Sequence, residues 1–460
     1  MQMFSMLIAV ICQMSLAERI EFTRIPVPAN QHADGLRMFH VYSKGDFAEL
    51  SGSDTWHIDK SVVEMHLVAH TEGEKVAPLE MSLVHVDDFT AHFDQKHFCK
   101  DHQLWLRYGA VPKDGRRPEM FSTIVPFEGS DRVTRVPLNK TGTWVLLLSN
   151  CGETRTDMTV SGTVQVRNPY GYLPPESYHK IAPLYVFLFQ YIMIAAAWAA
   201  YALAHREQVA EIHFFFTTLL VLSLAEVAVQ LFALEGWNAD GAAQEPWSSL
   251  AVVLSVLKWV YLYWISAFSA SGLPNGATGD AVIAFFNQRH CLPLGLACIY
   301  SVFITLRETV MSDMQGHSSL QVVLVVNGAV SMMDAAALIY ILAQTRLHYM
   351  QEERKHNISE ARFFLRLHRL AVVCAVPASI AYLINLGNLL GLFKLSWSSM
   401  WIPQDGAAHV VAMIAITGGI YCMRPGMVSI KSSPGGSVVE ALEAGERSSF
   451  LSTSAKDYQG

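Results

Sequence analysis

The chain has 460 residues, of which 52% are hydrophobic and only 16% charged, a balance that excludes an ordinary water-soluble protein of this size. Its net charge is −7, and its basic residues concentrate in residues 346–369, which leaves no footprint for nucleic acid. The apolar residues are unevenly spread, so the sequence divides into a water-soluble part followed by a membrane part.

Residues 1–17 read as a secretory signal, with an apolar core at 6–12 and small residues, Ser15 and Ala17, at positions −3 and −1 of the cleavage site. A secreted N-terminus gives the seven cysteines a compartment logic. Cys12 leaves with the signal, while Cys291, Cys298, Cys374 and Cys422 lie in or beside apolar runs. Cys99 and Cys151 alone remain in the mature N-terminal part, and in an oxidising lumen they are expected to form a disulfide.

Residues 18–168 alternate like a β-sandwich. Met158, Val160, Val164 and Val166 share one face of a period-two pattern. Residues 143–148 form a continuous apolar run suited to a central strand, and 61–70, 79–86, 103–109 and 132–138 add shorter strands. Asn139-Lys-Thr141 is a glycosylation sequon placed in a turn. His92, His97, Cys99 and His102 tempt a zinc reading, but their spacing is irregular. A histidine-rich turn with Cys99 in the disulfide outweighs it, so no metal is expected.

Seven apolar runs follow within a bundle spanning 169–425: 181–203, 212–234, 250–270, 291–306, 320–344, 370–393 and 407–422. With residue 18 in the lumen, odd-numbered runs go inward and even-numbered runs outward. The acidic stretch 235–248 then falls in the lumen. The basic loop 346–369, with Arg346, Arg354, Lys355, Arg362, Arg366 and Arg369, falls in the cytosol, as short Lys/Arg-rich loops do. A tail over 426–460, rich in Ser, Gly and Glu further along, has a composition typical of disorder.

Charges inside a span cost a few kcal/mol on insertion scales, so they face the bundle and find partners. Glu226 shares a helical face with Ser223 and Gln230, and Lys258 has Ser255 and Tyr261 beside it. Both lie roughly 12–14 Å in from the luminal ends of neighbouring spans by helix rise, so an ion pair is expected. Asp334 shares a face with Ser331 and Asn327. Together with Asn385, Asn388, Asp405 and His409 these residues make a candidate polar set, expected to line a cavity open towards the lumen. The competing reading makes them interhelical hydrogen-bond glue, worth about 0.6–2 kcal/mol apiece.

Several short motifs carry a family resemblance: Gly171-Tyr-Leu173, Leu224-Ala-Glu-Val-Ala228, Leu254-Ser-Val-Leu-Lys258, Ala343-Gln-Thr345, Arg366-Leu-His-Arg369 and Met423-Arg-Pro425. Their order resembles the lung seven-transmembrane receptor family. Its members are also called GOST proteins, for Golgi-dynamics-domain seven-transmembrane, and the chain looks closest to the transmembrane protein eighty-seven subgroup. The resemblance implies a luminal β-sandwich before a seven-helix bundle, residence in Golgi or endosomal membranes, and a role in membrane trafficking. It implies neither catalysis nor a cofactor. The expected partners are membrane lipid and a lipid-linked or transmembrane cargo protein. A G-protein-coupled-type receptor is the alternative, although no Asp-Arg-Tyr-like or Asn-Pro-x-x-Tyr motif stands in the third or seventh run, and G-protein coupling stays open. An ion channel or transporter, motivated by Glu226, Lys258 and Asp334, is the second alternative.

This topology predicts a glycan on Asn139 and none on Asn357, whose sequon lies in the basic loop. A shift on glycosidase digestion that disappears in Asn139→Gln supports it, and a glycan on Asn357 would overturn it.

Overall fold

The computed structural model describes residues 20–27, 31–32, 37–52, 59–71, 79–92, 99–100, 103–104, 120–126, 133–151, 158–206, 211–242, 244–270, 299–306 and 320–422. The signal at 1–17, the tail at 426–460, His97 and His102 lie outside the described residues, as do 105–109 of one expected strand and 291–298 of the fourth apolar run.

Strands β1 (Ile20–Val27), β2 (Gln31–His32), β3 (Arg37–Val41), β4 (Ser61–Thr71), β5 (Glu80–His85), β6 (Cys99–Lys100), β7 (Gln103–Leu104), β8 (Met120–Ile124), β9 (Thr134–Leu138), β10 (Gly142–Asn150) and β11 (Met158–Arg167) build the first part. One antiparallel sheet runs β1-β11-β4-β9. A second runs β2-β10-β5-β8, with β3 also paired to β10, and β6 pairs with β7 apart from both. Val63, Met65, Val160 and Val164 of the first sheet meet Met81, Leu83, Trp144 and Leu146 of the second in one apolar core. Two sheets whose inner faces share a core form a β-sandwich.

The alternation read in β11 is real: Met158, Val160, Val164 and Val166 are fully buried. The unbroken apolar run of β10 has a different cause. Trp144, Leu146 and Leu148 point into the main core, whereas Val145 and Leu147 pack on the opposite face against Phe89 of helix α2 (Val86–His92), beside Cys99 and Cys151. Cys99 and Cys151 are bonded, with Cα atoms 5.4 Å apart. Helix α1 (Lys44–Ser51), capped by the Ser43 hydroxyl, and strands β1, β3 and β8 have no counterpart among the sequence expectations.

The membrane part comprises α3 (Pro175–Ala204), α4 (Glu211–Asp240), α5 (Glu245–Ala270), α6 (Leu320–Arg354) and α7 (Ile358–Leu389), followed by α8 (Trp397–Trp401), a π-turn (Ile402–Gly406) and α9 (Ala407–Cys422). Among the described residues five helices are long and apolar enough to cross a membrane, and α9 is a shorter apolar helix. Residues 299–306 of the fourth run are helical. Phe189, Leu203, Phe214, Val325, Met332 and Leu383 are exposed on these helices, a placement suited to hydrocarbon and costly in water.

Two loops are shorter than the sequence implies. The acidic stretch 235–248 is mostly helical, because α4 runs to Asp240 and α5 starts at Glu245. The basic loop 346–369 is a helical hairpin. Its connection closes on Glu352, which takes Lys355 Nζ at 2.6 Å and Asn357 Nδ2 at 3.2 Å, while the Asn357 amide donates to the Glu352 carbonyl. The side chain thus fastens a turn whose His356 sits in the left-handed region, φ 58°.

Gly162 lies in β11 between β1 and β4 with φ +136°, and a Cβ there would stand 1.9 Å from the His66 carbonyl oxygen. Gly162→Ala is therefore expected to destabilise the sandwich by more than about 1 kcal/mol. Thermal unfolding of the purified chain checks this, and an unchanged transition would refute the close approach.

Candidate functional site

The centre of the site is made by α4 and α5. Lys258 Nζ donates to Glu226 Oε2 at 2.5 Å, and their side chains are 1% and 5% exposed. Opposite charges at equal depth on adjacent helices find each other because neither can face lipid cheaply. The Lys258 ammonium also lies over the Trp259 ring, 5.2 Å from its centroid. Buried Ser223 sits one turn before Glu226 and spends its hydroxyl on the Leu219 carbonyl. From α3, fully buried Tyr191 faces Glu226. Its hydroxyl is directed at Ser223 but makes no hydrogen bond of good geometry.

A second ion pair lies above the first. Lys180, on the second turn of α3, reaches Asp405 of the π-turn at 2.6 Å. His409, one turn beyond Asp405, is 4% exposed and faces both pairs. Its ring packs on Phe187 with centroids 5.1 Å apart, and its Nδ1 has no hydrogen-bond partner. Lys180, Gln230, Trp401, Asp405 and His409 line a small pocket with about 10 Å³ of room, the space one ordered water needs.

The structure brings together Glu226, Lys258, Asp405 and His409 from the expected set. It does not join the others to them. Asp334 of α6 accepts from the Tyr263 hydroxyl at 2.6 Å, beside Tyr300. Asn388 accepts from the Leu395 amide at 3.0 Å and so fastens the turn after α7. Asn385 is half-buried on α7, and the Asn327 side chain lies outside what the structure describes. The expectation that Glu226 and Lys258 line an open cavity is corrected. The pair is sealed, and the pocket lies on the Lys180–Asp405 side of His409.

Around this seam the strand-rich domain is seated on the bundle by residues that the sequence reading did not single out for this role. His40 Nδ1 lies 3.1 Å from both Glu176 carboxylate oxygens. The Tyr42 hydroxyl meets His179 Nε2 at 3.0 Å, and the Tyr42 amide donates to Asn168 Oδ1 at 3.1 Å. Trp397 packs against His40 and Tyr42 with centroids 5.1 and 5.2 Å away. Phe47, Tyr170 and Tyr178 complete the cluster, with Tyr170 and Tyr178 stacked at 3.8 Å. Asn238, near the end of α4, donates to the Tyr170 carbonyl and accepts the Leu173 amide. Gly171, φ +138°, is required there, because a Cβ would meet Asn238 Oδ1 at 2.3 Å. Burial, with the Glu176 carboxylate adding to it, pushes the Tyr42 phenol up to about 12, so it stays neutral. The one signal in the sequence was the Asn168–Leu173 lead-in to the first run.

A strand-rich domain preceding a set of membrane-capable helices with a polar seam defines a multi-pass membrane protein. The family model described as GOST, seven transmembrane domain, matches residues 180–427. That is more than half of the chain, and the chain belongs to this family. No curated protein matches it.

Removing one member of a closed ion pair leaves the other buried and uncompensated, at a cost of about 3–5 kcal/mol. Glu226→Gln and Lys258→Met are each expected to lower the melting temperature sharply, and the double variant to recover much of the loss. Additive losses in thermal unfolding would sink the pairing.

Proposed function

We propose that this GOST protein works in Golgi or endosomal membrane trafficking, holding a membrane-associated cargo, lipid-linked or membrane-spanning, between its luminal domain and the luminal half of its bundle. The observation that carries this reading is the seat of the sandwich on α3, α4 and α8. A domain fixed at the membrane surface by His40, Tyr42 and Asn168 can present a binding face to partners that emerge from the same leaflet. Preorganisation of this kind lowers the ordering cost of binding. The sealed Glu226–Lys258 pair supports a carrier over an ion path, since two mutually neutralised charges make a poor route for a hydrated ion.

The reading is tested in cells that carry the tagged chain in place of their own. Residence in Golgi or endosomal membranes is expected, with slowed passage of a subset of membrane-attached proteins after its removal. Tyr42→Ala, which strips the joint, should reproduce that delay while the variant stays in the same membranes. Residence only at the cell surface, or normal passage of every membrane protein after removal, would overturn the proposal.

A further inference from the structure

One contact between the N-terminal domain and the first spanning helix pairs a histidine with a carboxylate, two groups that can both carry charge. Tyr42, Phe47, Tyr170, Tyr178 and Trp397 hold by packing, and Asn168 and Asn238 by neutral hydrogen bonds. None of these changes charge near neutrality. We propose that His40 and Glu176 form a proton-set latch, which ties the luminal domain to α3 firmly in an acidic medium and loosens as the medium approaches neutrality.

The geometry supplies the reasons. His40 stands on β3, where its backbone is fixed by pairing with Thr143 of β10, so the ring is presented from a rigid strand. Glu176 stands in the first turn of α3, where the helix dipole favours a carboxylate. The Nδ1 atom is equidistant from the two carboxylate oxygens, an arrangement suited to a charged imidazolium on a charged carboxylate. A charge-assisted bond is roughly twice as strong as the neutral one that remains when the ring loses its proton. The side chains keep 35% and 24% exposure, so protons exchange with the medium without opening the joint.

The other groups around the ring do not duplicate this response. From α3, Lys180 faces Glu176 but is held by Asp405. His179 contacts the Tyr42 hydroxyl, which can donate to a neutral imidazole or accept from a protonated one. From α8, Trp397 is uncharged, and from α1 the contact with Tyr42 is made by Phe47.

Burial by itself pulls the His40 imidazole down, but the hydrogen bond and charge of Glu176 outweigh it, and the net shift is upward from 6.5. A group raised in the folded state contributes fully below its unfolded value and loses the contribution as pH rises through the folded value. The latch is therefore complete below about 6.5 and fades above it. The inference goes beyond the trafficking proposal and makes no use of cargo, because the purified chain alone tests it.

The experiment is hydrogen–deuterium exchange of the full chain in lipid nanodiscs between pH 5.5 and 8, corrected for the intrinsic rate at each pH. Amides of residues 37–52 and of the first turns of α3 are read against β4 in the same molecule. Protection at the joint should fall as pH rises, by about tenfold for each unit by which Glu176 raises the ring. His40→Gln and Glu176→Gln should each flatten this profile, and His40→Arg should keep protection high throughout. His66→Gln, on the exposed face of β4, should leave it as in the parent chain. If His40→Gln does not fold, Glu176→Gln decides alone, since it leaves the imidazole in place. A parent profile flat across this range, or a pH response retained in Glu176→Gln, overturns the latch.

Discussion

A charge cannot be left alone in hydrocarbon, and much of the bundle is arranged around that constraint. Glu226 and Lys258 meet it by contact at 2.5 Å, and the helices that carry them must stay adjacent and in register for the contact to exist. Tyr191 and His409 close over the pair from α3 and α9. Such a pair contributes little net stability against a well-packed apolar alternative, because desolvation consumes most of the attraction. What it supplies is a penalty for every other arrangement, since sliding α4 against α5 by one residue would strand two charges. In a membrane, where helices gain nothing from hydrophobic burial against one another, a register device of this sort fixes which faces meet.

The passage from sandwich to bundle is governed by a second constraint, the satisfaction of backbone groups where neither a sheet nor a helix supplies partners. Asn168 answers it on one side, donating to the Leu173 carbonyl and accepting the Tyr42 amide. Asn238 answers it on the other, between Tyr170 and Leu173. The end of α4 is thereby tied to the segment that leads into α3. This is why α4 stays helical to Asp240, through residues whose acidity reads as a loop. Local composition favoured a loop there, and tertiary hydrogen bonds favoured a helix.

The sandwich, the disulfide and the membrane helices were legible because each leaves a mark in one stretch of sequence. Met158–Val166 alternates, Cys99 and Cys151 are what remains after the signal and the spans are set aside, and 320–344 is long and apolar. The Glu226–Lys258 contact was legible by a different route, equal depth on neighbouring spans. Asp405 and His409 were found as polar residues near a span, but their assembly with Lys180 was not, because Lys180 precedes its apolar run and looks like a flanking charge. The joint escaped almost entirely. His40 lies 136 residues from Glu176 and Tyr42 lies 137 from His179, and no period or spacing links a strand residue to the first turns of a distant helix. Strand β3 escaped as well, since Arg37–Val41 shows no clean alternation until β10 is known to be its partner. Asp334 belonged to the expected set as a charge within a span on a face with Ser331 and Asn327, and here it accepts from the Tyr263 hydroxyl.

The π-turn before α9 shows how the two ion pairs come to share one histidine. The Ala407 amide donates to the Ile402 carbonyl, five residues back, where an α-helix would use Pro403. Inserting one residue into a helical turn rotates all that follows by about 100° relative to a continuous helix. Pro403, with no amide hydrogen to give, weakens the regular ladder at this point and makes the wider turn cheaper. Gly406 completes it, since a Cβ there would strike the Trp401 ring at 2.4 Å. Asp405, inside the turn, reaches Lys180, and the rotation brings His409, one turn later, onto Phe187 and toward Lys258 and Glu226. The π-turn thus stands between the Lys180–Asp405 pair and His409, and wide turns of this kind recur where a helix has to serve a site.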